Sequence, residues 1–216
     1  AHQSQTTCCG QRAYAVHCYQ PRPGTGLFPR SDRQVRSLKN SWCRINKAVA
    51  FAAHKHRHQR RKDAEASPYI NHPIALANVL ANEGGIEDLT VLCAAVLHDT
   101  IEDTETTADE LRTLFGPDVA SVVLEVSDDK SLEKSVRKQR QIEHAPHLSV
   151  EAKLVKLADK ICNLRDVLVS PPADWSLDRK RVYFDWAAQV VAGLRGTHAG
   201  LESVFDGLHA RQIEFA

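Results

Sequence analysis

Leu89-Thr90-Val91-Leu92-Cys93-Ala94-Ala95-Val96-Leu97-His98-Asp99-Thr100-Ile101-Glu102-Asp103-Thr104 is the stretch that decides the fold. Leu89, Leu92, Cys93, Val96 and Leu97 recur at helical spacing, and apolar side chains run nearly all round the axis. That pattern predicts a central helix, buried on every side. It ends in His98-Asp99, and Glu102 and Asp103 each follow one turn later on the same face. Burying unpaired charge beside such a run is costly, and a divalent cation is the economical compensation. His98 and Asp99 diverge by about 100° on a helix, yet both reach an ion lying between their directions. Glu102 and Asp103 would then stand beside that ion, where carboxylates orient or deprotonate a water or protonate a leaving oxygen. The competing reading is a solvated helix end whose acids pair with nearby lysines.

Working outward, every further segment reads as helix. Ile45, Ala48, Val49 and Ala52 share one helix face, which runs on into the polar stretch His54–Lys62. Pro73 fits a first-turn position, Ile74, Ala77, Leu80 and Ala81 follow, and Gly84-Gly85 stops the helix. Thr107 with Glu110 forms a capping-box pattern, and Gly116-Pro117 ends that element. Leu154, Leu157, Ala158 and Ile161 mark a second core helix; Tyr183, Ala187, Val190, Val191 and Leu194 a later one; Leu201, Val204, Phe205 and Leu208 the last. Nothing alternates with period two, so the expected fold is all-α, without internal repeats.

Residues 1–42 differ in kind. They are rich in Gln, Ser, Thr, Pro, Gly and Arg and nearly free of acids, and they lack a sustained helical period. A disordered N-terminal extension is expected there, with the domain running over 43–216. Of the 6 cysteines, Cys93 and Cys162 fall in apolar helical patterns and read as small buried hydrophobes. Cys8, Cys9, Cys18 and Cys43 fit no zinc spacing. Lys+Arg 28 against Asp+Glu 27 gives no global field for a nucleic-acid polymer or a membrane surface, so any anion site must be local. No apolar run approaches the ~20 residues of a membrane span, and a cytoplasmic protein is expected.

Two more positions join the His98-Asp99 pair. His72 lies at a helix start in Tyr69-Ile70-Asn71-His72-Pro73, from which a side chain can project into a cleft. Asp159 sits mid-helix between apolar neighbours and shares a face with Lys156 and Asn163, so it is either paired with a lysine or bound to a metal.

The order His72, His98-Asp99, Asp159 resembles the signature of the HD-domain metal phosphohydrolases. Arg61-Lys62 through Pro68-Tyr69-Ile70-Asn71-His72-Pro73, Leu97 to Thr104, Asp128-Asp129-Lys130 and Lys156 to Asp166 are similar to the hydrolase domain of the RelA/SpoT group. The short length resembles the stand-alone metazoan members of that group, and the similarity extends over about residues 45–213. The resemblance implies an HD-domain helical bundle and a manganese ion (Mn2+) held by His72, His98, Asp99 and Asp159, with Glu102 and Asp103 as catalytic acids. It implies a small nucleotide partner, the alarmone (p)ppGpp, cleaved at its ribose 3′-pyrophosphate. Removal of the 2′-phosphate of NADPH is associated with the same branch. Arg61 and Lys62 match the basic pair that meets the substrate, a planar guanidinium suiting phosphate oxygens and a lysine acting as a point charge. Tyr69 and Asn163 match positions near the nucleoside, and Arg179 and Tyr183 are candidates for the phosphate side. His54 to Arg60 reads as a solvated charge run, Trp175 and Trp186 as core, and the remaining histidines as surface. Lys134, Lys138 and Arg140 are candidates for positive field. The alternatives are another HD-family nucleotidase or phosphodiesterase, or a nucleotide-binding regulator without turnover.

Overall fold

In the computed structural model, which describes residues 32–215, the chain runs through α1 (Asp32–Lys55), α2 (Asn71–Asn78), α3 (Leu89–Leu97), α4 (Thr100–Asp103), α5 (Ala108–Phe115), α6 (Pro117–Val126), α7 (Lys134–His144), α8 (Val150–Val169), α9 (Leu177–Ala192) and α10 (Ala199–Ala210). No strand occurs among the described residues, in agreement with the all-α reading. α1 starts at Asp32, upstream of the domain start expected at residue 43. The earlier part of the expected extension, with Cys8, Cys9 and Cys18, lies outside the described residues. No helix among the described residues is long and apolar enough to cross a membrane.

The uniformly apolar α3 is the hub. The Asp88 carboxylate caps it, accepting from the backbone N–H groups of Thr90 and Val91, and every residue from Val91 to Leu97 is buried. α1, α2, α6 and α8 all pack on it, and α9 and α10 lie against α8. Cys93 and Cys162 are buried free thiols, as their apolar settings predict, and Cys43 is exposed.

α2 continues as a wider π turn, Val79–Glu83, and stops at the glycine pair. A Cβ on Gly84 would stand 2.8 Å from the Leu80 carbonyl oxygen, and Gly85 has φ +63°, so both positions need glycine. The Gly84 carbonyl accepts from His198 Nε2 at 2.9 Å, while His198 Nδ1 accepts from the Leu201 backbone N–H. His198 is therefore the cap of α10 and its tie to α2, a role the surface reading of the remaining histidines misses.

The helix expected to carry His98 through Asp103 is broken. Asp99 adopts φ −97°, ψ 0°, and α4 starts afresh at Thr100, whose hydroxyl donates to the Leu97 carbonyl at 2.7 Å. The break turns the chain at the metal-ligand candidates.

The second core helix, α8, carries Leu157 with no exposed surface. Leu157→Ala is expected to cost about 2–5 kcal/mol of stability through lost transfer energy and a residual cavity. Urea unfolding measures it, and a loss under about 1 kcal/mol would mean that this helix is not in the core.

Candidate active site

His72, His98 and Asp159 come from α2, the end of α3 and the middle of α8, yet each places a ligand atom within 4.8 Å of the others. Both imidazoles are buried, at 4% and 5% exposure, and their ring centroids are 5.4 Å apart. His98 Nδ1 points at the Ala95 carbonyl oxygen 2.8 Å away, which fixes the proton on Nδ1 and leaves Nε2 as a lone-pair nitrogen. That nitrogen lies 2.9 Å from Asp99 Oδ2 and makes no hydrogen bond. His72 Nε2 is hydrogen-bonded to Asp159 Oδ1 at 3.2 Å, and its Nδ1 is the ring nitrogen left without a partner. The His98 lone pair facing a carboxylate oxygen suits a positive centre between them. A donor set of imidazole and carboxylate with room for water fits a divalent ion. Asp99 stands outside the tightest group, and its Oδ2 accepts a hydrogen bond from the Tyr69 hydroxyl.

The carboxylates are held by neighbours. Lys160 Nζ donates to Asp159 Oδ2 at 2.8 Å and Asn163 Nδ2 donates to Oδ1 at 2.6 Å. Burial works against the Asp159 carboxylate, but the Lys160 ammonium and the His72 imidazole outweigh it and keep the carboxyl well below the usual range. Burial likewise works against the Lys160 charge and is outweighed by Asp159, which leaves the ammonium group firmly protonated. Lys160 is only 3% exposed, and its Nζ lies over the Trp186 ring at 4.4 Å. A buried pair of this kind is weak as a stabiliser but strong as a positioning device. Lys160 was not among the site residues read from the sequence, although a lysine next to the mid-helix acid in an apolar helix was a usable signal.

The break at Asp99 separates the acids that follow it. Glu102 lines the same small chamber, about 160 Å³, as His72, His98, Asp99 and Asp159. Its Oε2 accepts from the Asp128 backbone N–H at 3.2 Å, and Arg137 approaches Oε1 at 3.6 Å. Burial, followed by the charge of Asp99, raises its carboxyl above the ordinary value. Asp103 instead faces an adjoining cleft of about 620 Å³, a size in the range of ligand sites. Its Oδ2 accepts from Gln59 Nε2 at 2.6 Å, and its Oδ1 accepts from Lys130.

Arg61, Tyr69, His72 and Asn163 line both spaces. Arg61 is ion-paired with Asp166, and Lys62 lines the larger cleft. Tyr69 and Asn163, matched to the nucleoside in the sequence, have their polar atoms bonded to Asp99 and Asp159 respectively. Tyr183 lines the cleft together with Trp175, and burial pushes the Tyr183 hydroxyl up to about 12. Arg179 lines neither space; it sits over the Trp175 ring at 4.8 Å and reaches Asp174 at 3.2 Å. Trp175 and Trp186, read as core, are only partly buried, with Trp175 contributing to the cleft wall. Lys138 lies over the Trp186 ring at 4.7 Å.

An HD-domain family description matches residues 48–190. Among curated proteins, the chain is 58% identical over 154 residues to guanosine-3′,5′-bis(diphosphate) 3′-pyrophosphohydrolase MESH1 of Danio rerio, covering 71% of this chain and 86% of that protein. It is 57% identical over 161 residues to the Homo sapiens protein of the same name, covering 74% and 90%. A solved structure described as "A metazoan ortholog of SpoT hydrolyzes ppGpp and plays a role in starvation responses" superposes with TM-score 0.76 at 48% identity, over 78% of this chain and 95% of that one.

Proposed function

The chain belongs to the HD-domain family, and on that premise we propose that it hydrolyses the 3′-pyrophosphate of (p)ppGpp using Mn2+ held by His72, His98, Asp99 and Asp159. The observation that carries the reading is the gathering of His72, His98 and Asp159 within 4.8 Å, beside Asp99, at the inner end of a cleft walled by Arg61, Lys62, Tyr183 and Trp175. The identity to proteins named for this reaction gives the substrate. The partner is thus a small nucleotide, and the setting we propose is the cytoplasm.

His72, His98, Asp99 and Asp159 would hold the divalent ion, which when bound would lower the pKa of water from 15.7 toward about 7 and offset charge on the phosphoryl oxygens. Glu102, the acid of the inner chamber, takes the proton from the attacking water. Arg61 leaves Asp166 for a phosphate oxygen, and Lys62 adds positive charge at the cleft wall. Asp103, an ionised carboxylate at rest, takes a proton from cleft water on Oδ1 once substrate has drawn Lys130 away. It passes that proton to the departing ribose 3′-oxygen as the P–O bond breaks, while the proton on Glu102 returns to solvent. Water's oxygen ends on pyrophosphate, and GDP or GTP leaves with a free 3′-hydroxyl. Asn163 and Tyr69 keep Asp159 and Asp99 turned toward the centre.

The test is a turnover comparison of ppGpp and NADPH with added manganese. The expected result is stoichiometric GDP and pyrophosphate from ppGpp. Phosphate released from other nucleotides with ppGpp intact would make this another HD nucleotidase, and binding of ppGpp without product would make it a regulator. NADPH also carries a phosphate ester on a ribose secondary hydroxyl, and it serves as the comparison substrate.

A further inference from the structure

His56 begins the polar turn after α1, in a stretch whose composition reads as solvated charge, yet it is only 2% exposed. Its Nδ1 lies 2.6 Å from Gln59 Oε1, and Gln59 Nε2 donates to Asp103 Oδ2 at 2.6 Å. The chemistry fixes the direction of this chain. A carboxylate only accepts, so the Gln59 amide nitrogen must face Asp103 and its oxygen must face His56. That oxygen in turn requires the proton on His56 Nδ1. The remaining nitrogen, His56 Nε2, is buried without a partner, a cost that a merely structural histidine has no reason to carry.

The same turn reaches the other side of the site. The His56 ring lies 4.8 Å from the Tyr69 ring, whose hydroxyl is bonded to Asp99, and the Tyr69 backbone N–H donates to the Gln59 carbonyl at 3.2 Å. Lys130, the other partner of Asp103, is half exposed and lines the cleft, where incoming phosphate competes for it. Gln59 also lines the cleft, but its amide is braced on both sides, donating one N–H to Asp103 and accepting from His56. Substrate can turn it away only by breaking both bonds.

We propose that His56 and Gln59 are positioning residues, a relay that keeps the Asp103 carboxylate aimed into the cleft when substrate draws Lys130 away. The proposal rests on the reading of Asp103 as the acid that serves the leaving oxygen. His56→Phe and Gln59→Leu in the full-length, metal-loaded protein should each lower kcat roughly five- to ten-fold, the scale of one lost hydrogen bond. KM for ppGpp and manganese affinity should stay within about two-fold. In an Asp103→Ala background, already slow, His56→Phe should add almost nothing, because the relay then has nothing to hold.

Equal losses in both backgrounds would overturn the relay, as would losses that follow KM or metal content. An Asp103→Ala variant with wild-type kcat would overturn the role of Asp103 and the relay with it. A clear Asp103→Ala loss beside a silent His56→Phe would remove the relay alone. Nitrogen-15 NMR of the full chain loaded with diamagnetic Mg2+ reads the geometry without turnover: His56 should be protonated at Nδ1 in wild type and change on Gln59→Leu. An Nε2-protonated His56 in the wild type would overturn the proposal.

Discussion

His98→Ala is expected to abolish turnover and, in the same preparation, to empty the ion site. His98 presents a lone-pair nitrogen that no protein donor satisfies, 2.9 Å from Asp99 Oδ2. Without it, the remaining donors cannot gather round one ion, and the acidification of water supplied there goes with it. Losing that acidification alone is worth several powers of ten in available hydroxide, so activity should fall below detection. Because His98 is buried, a misfolded variant would imitate this result. Asp99→Asn keeps the shape and still accepts from Tyr69, and it should likewise lose metal and turnover while its circular dichroism is unchanged. Stoichiometric manganese in either purified variant, with full activity, would refute the ligand assignment.

Glu102→Gln is expected to separate chemistry from binding. Glu102 lines the chamber but is not in the group of His72, His98 and Asp159 that shares ligand distance. The variant should keep its metal and lose about 10²- to 10⁴-fold in kcat, the usual range for one acid–base group. The wild-type pH profile tests the same assignment. As a base, Glu102 must be ionised, so activity should fall with decreasing pH through its pKa. Burial and Asp99 raise that pKa above the ordinary 4.5, so the fall should come at higher pH than for a solvated glutamate, and Glu102→Gln should abolish this limb. A variant that empties of metal, or one that keeps the limb, would shift the role elsewhere.

The helical architecture was readable from the sequence because its core segments are unambiguous. α3 is apolar all round, and the capping hydroxyl of Thr107 accepts from the Glu110 backbone N–H as its pattern foretold. The Glu110 side chain, though, turns to Lys55 at 2.9 Å rather than back to the cap, a tertiary partner invisible to local spacing. Asp159 stood out as an acid among apolar neighbours that make it expensive, and His72 as a side chain at a helix start able to project into a cleft. What the sequence hid was direction. Nothing in His98-Asp99-Thr100 announces a change of dihedral at Asp99, so Glu102 and Asp103 read as equivalent when they face different spaces. Tyr69 and Asn163, matched to the nucleoside through the family resemblance, also have polar atoms engaged by Asp99 and Asp159, partners that local spacing does not show. His56 and Gln59 were lost within a run whose charge suggests full solvation, because the burial of one histidine there depends on Tyr69 and Asp103, far along the chain.

The route of the chain through the proposed ion centre also bears on biosynthesis. His72 and Asp159 meet although they are 87 positions apart. A ribosome therefore releases both imidazoles and Asp99 well before the residue that closes the cage, and that residue sits in the helix on which α2, α3 and α10 assemble. A nascent chain can present only a partial, open chelate until α8 docks. Docking completes the hydrophobic interior and the ligand set in one event, so a polypeptide cut short of α8 forfeits both.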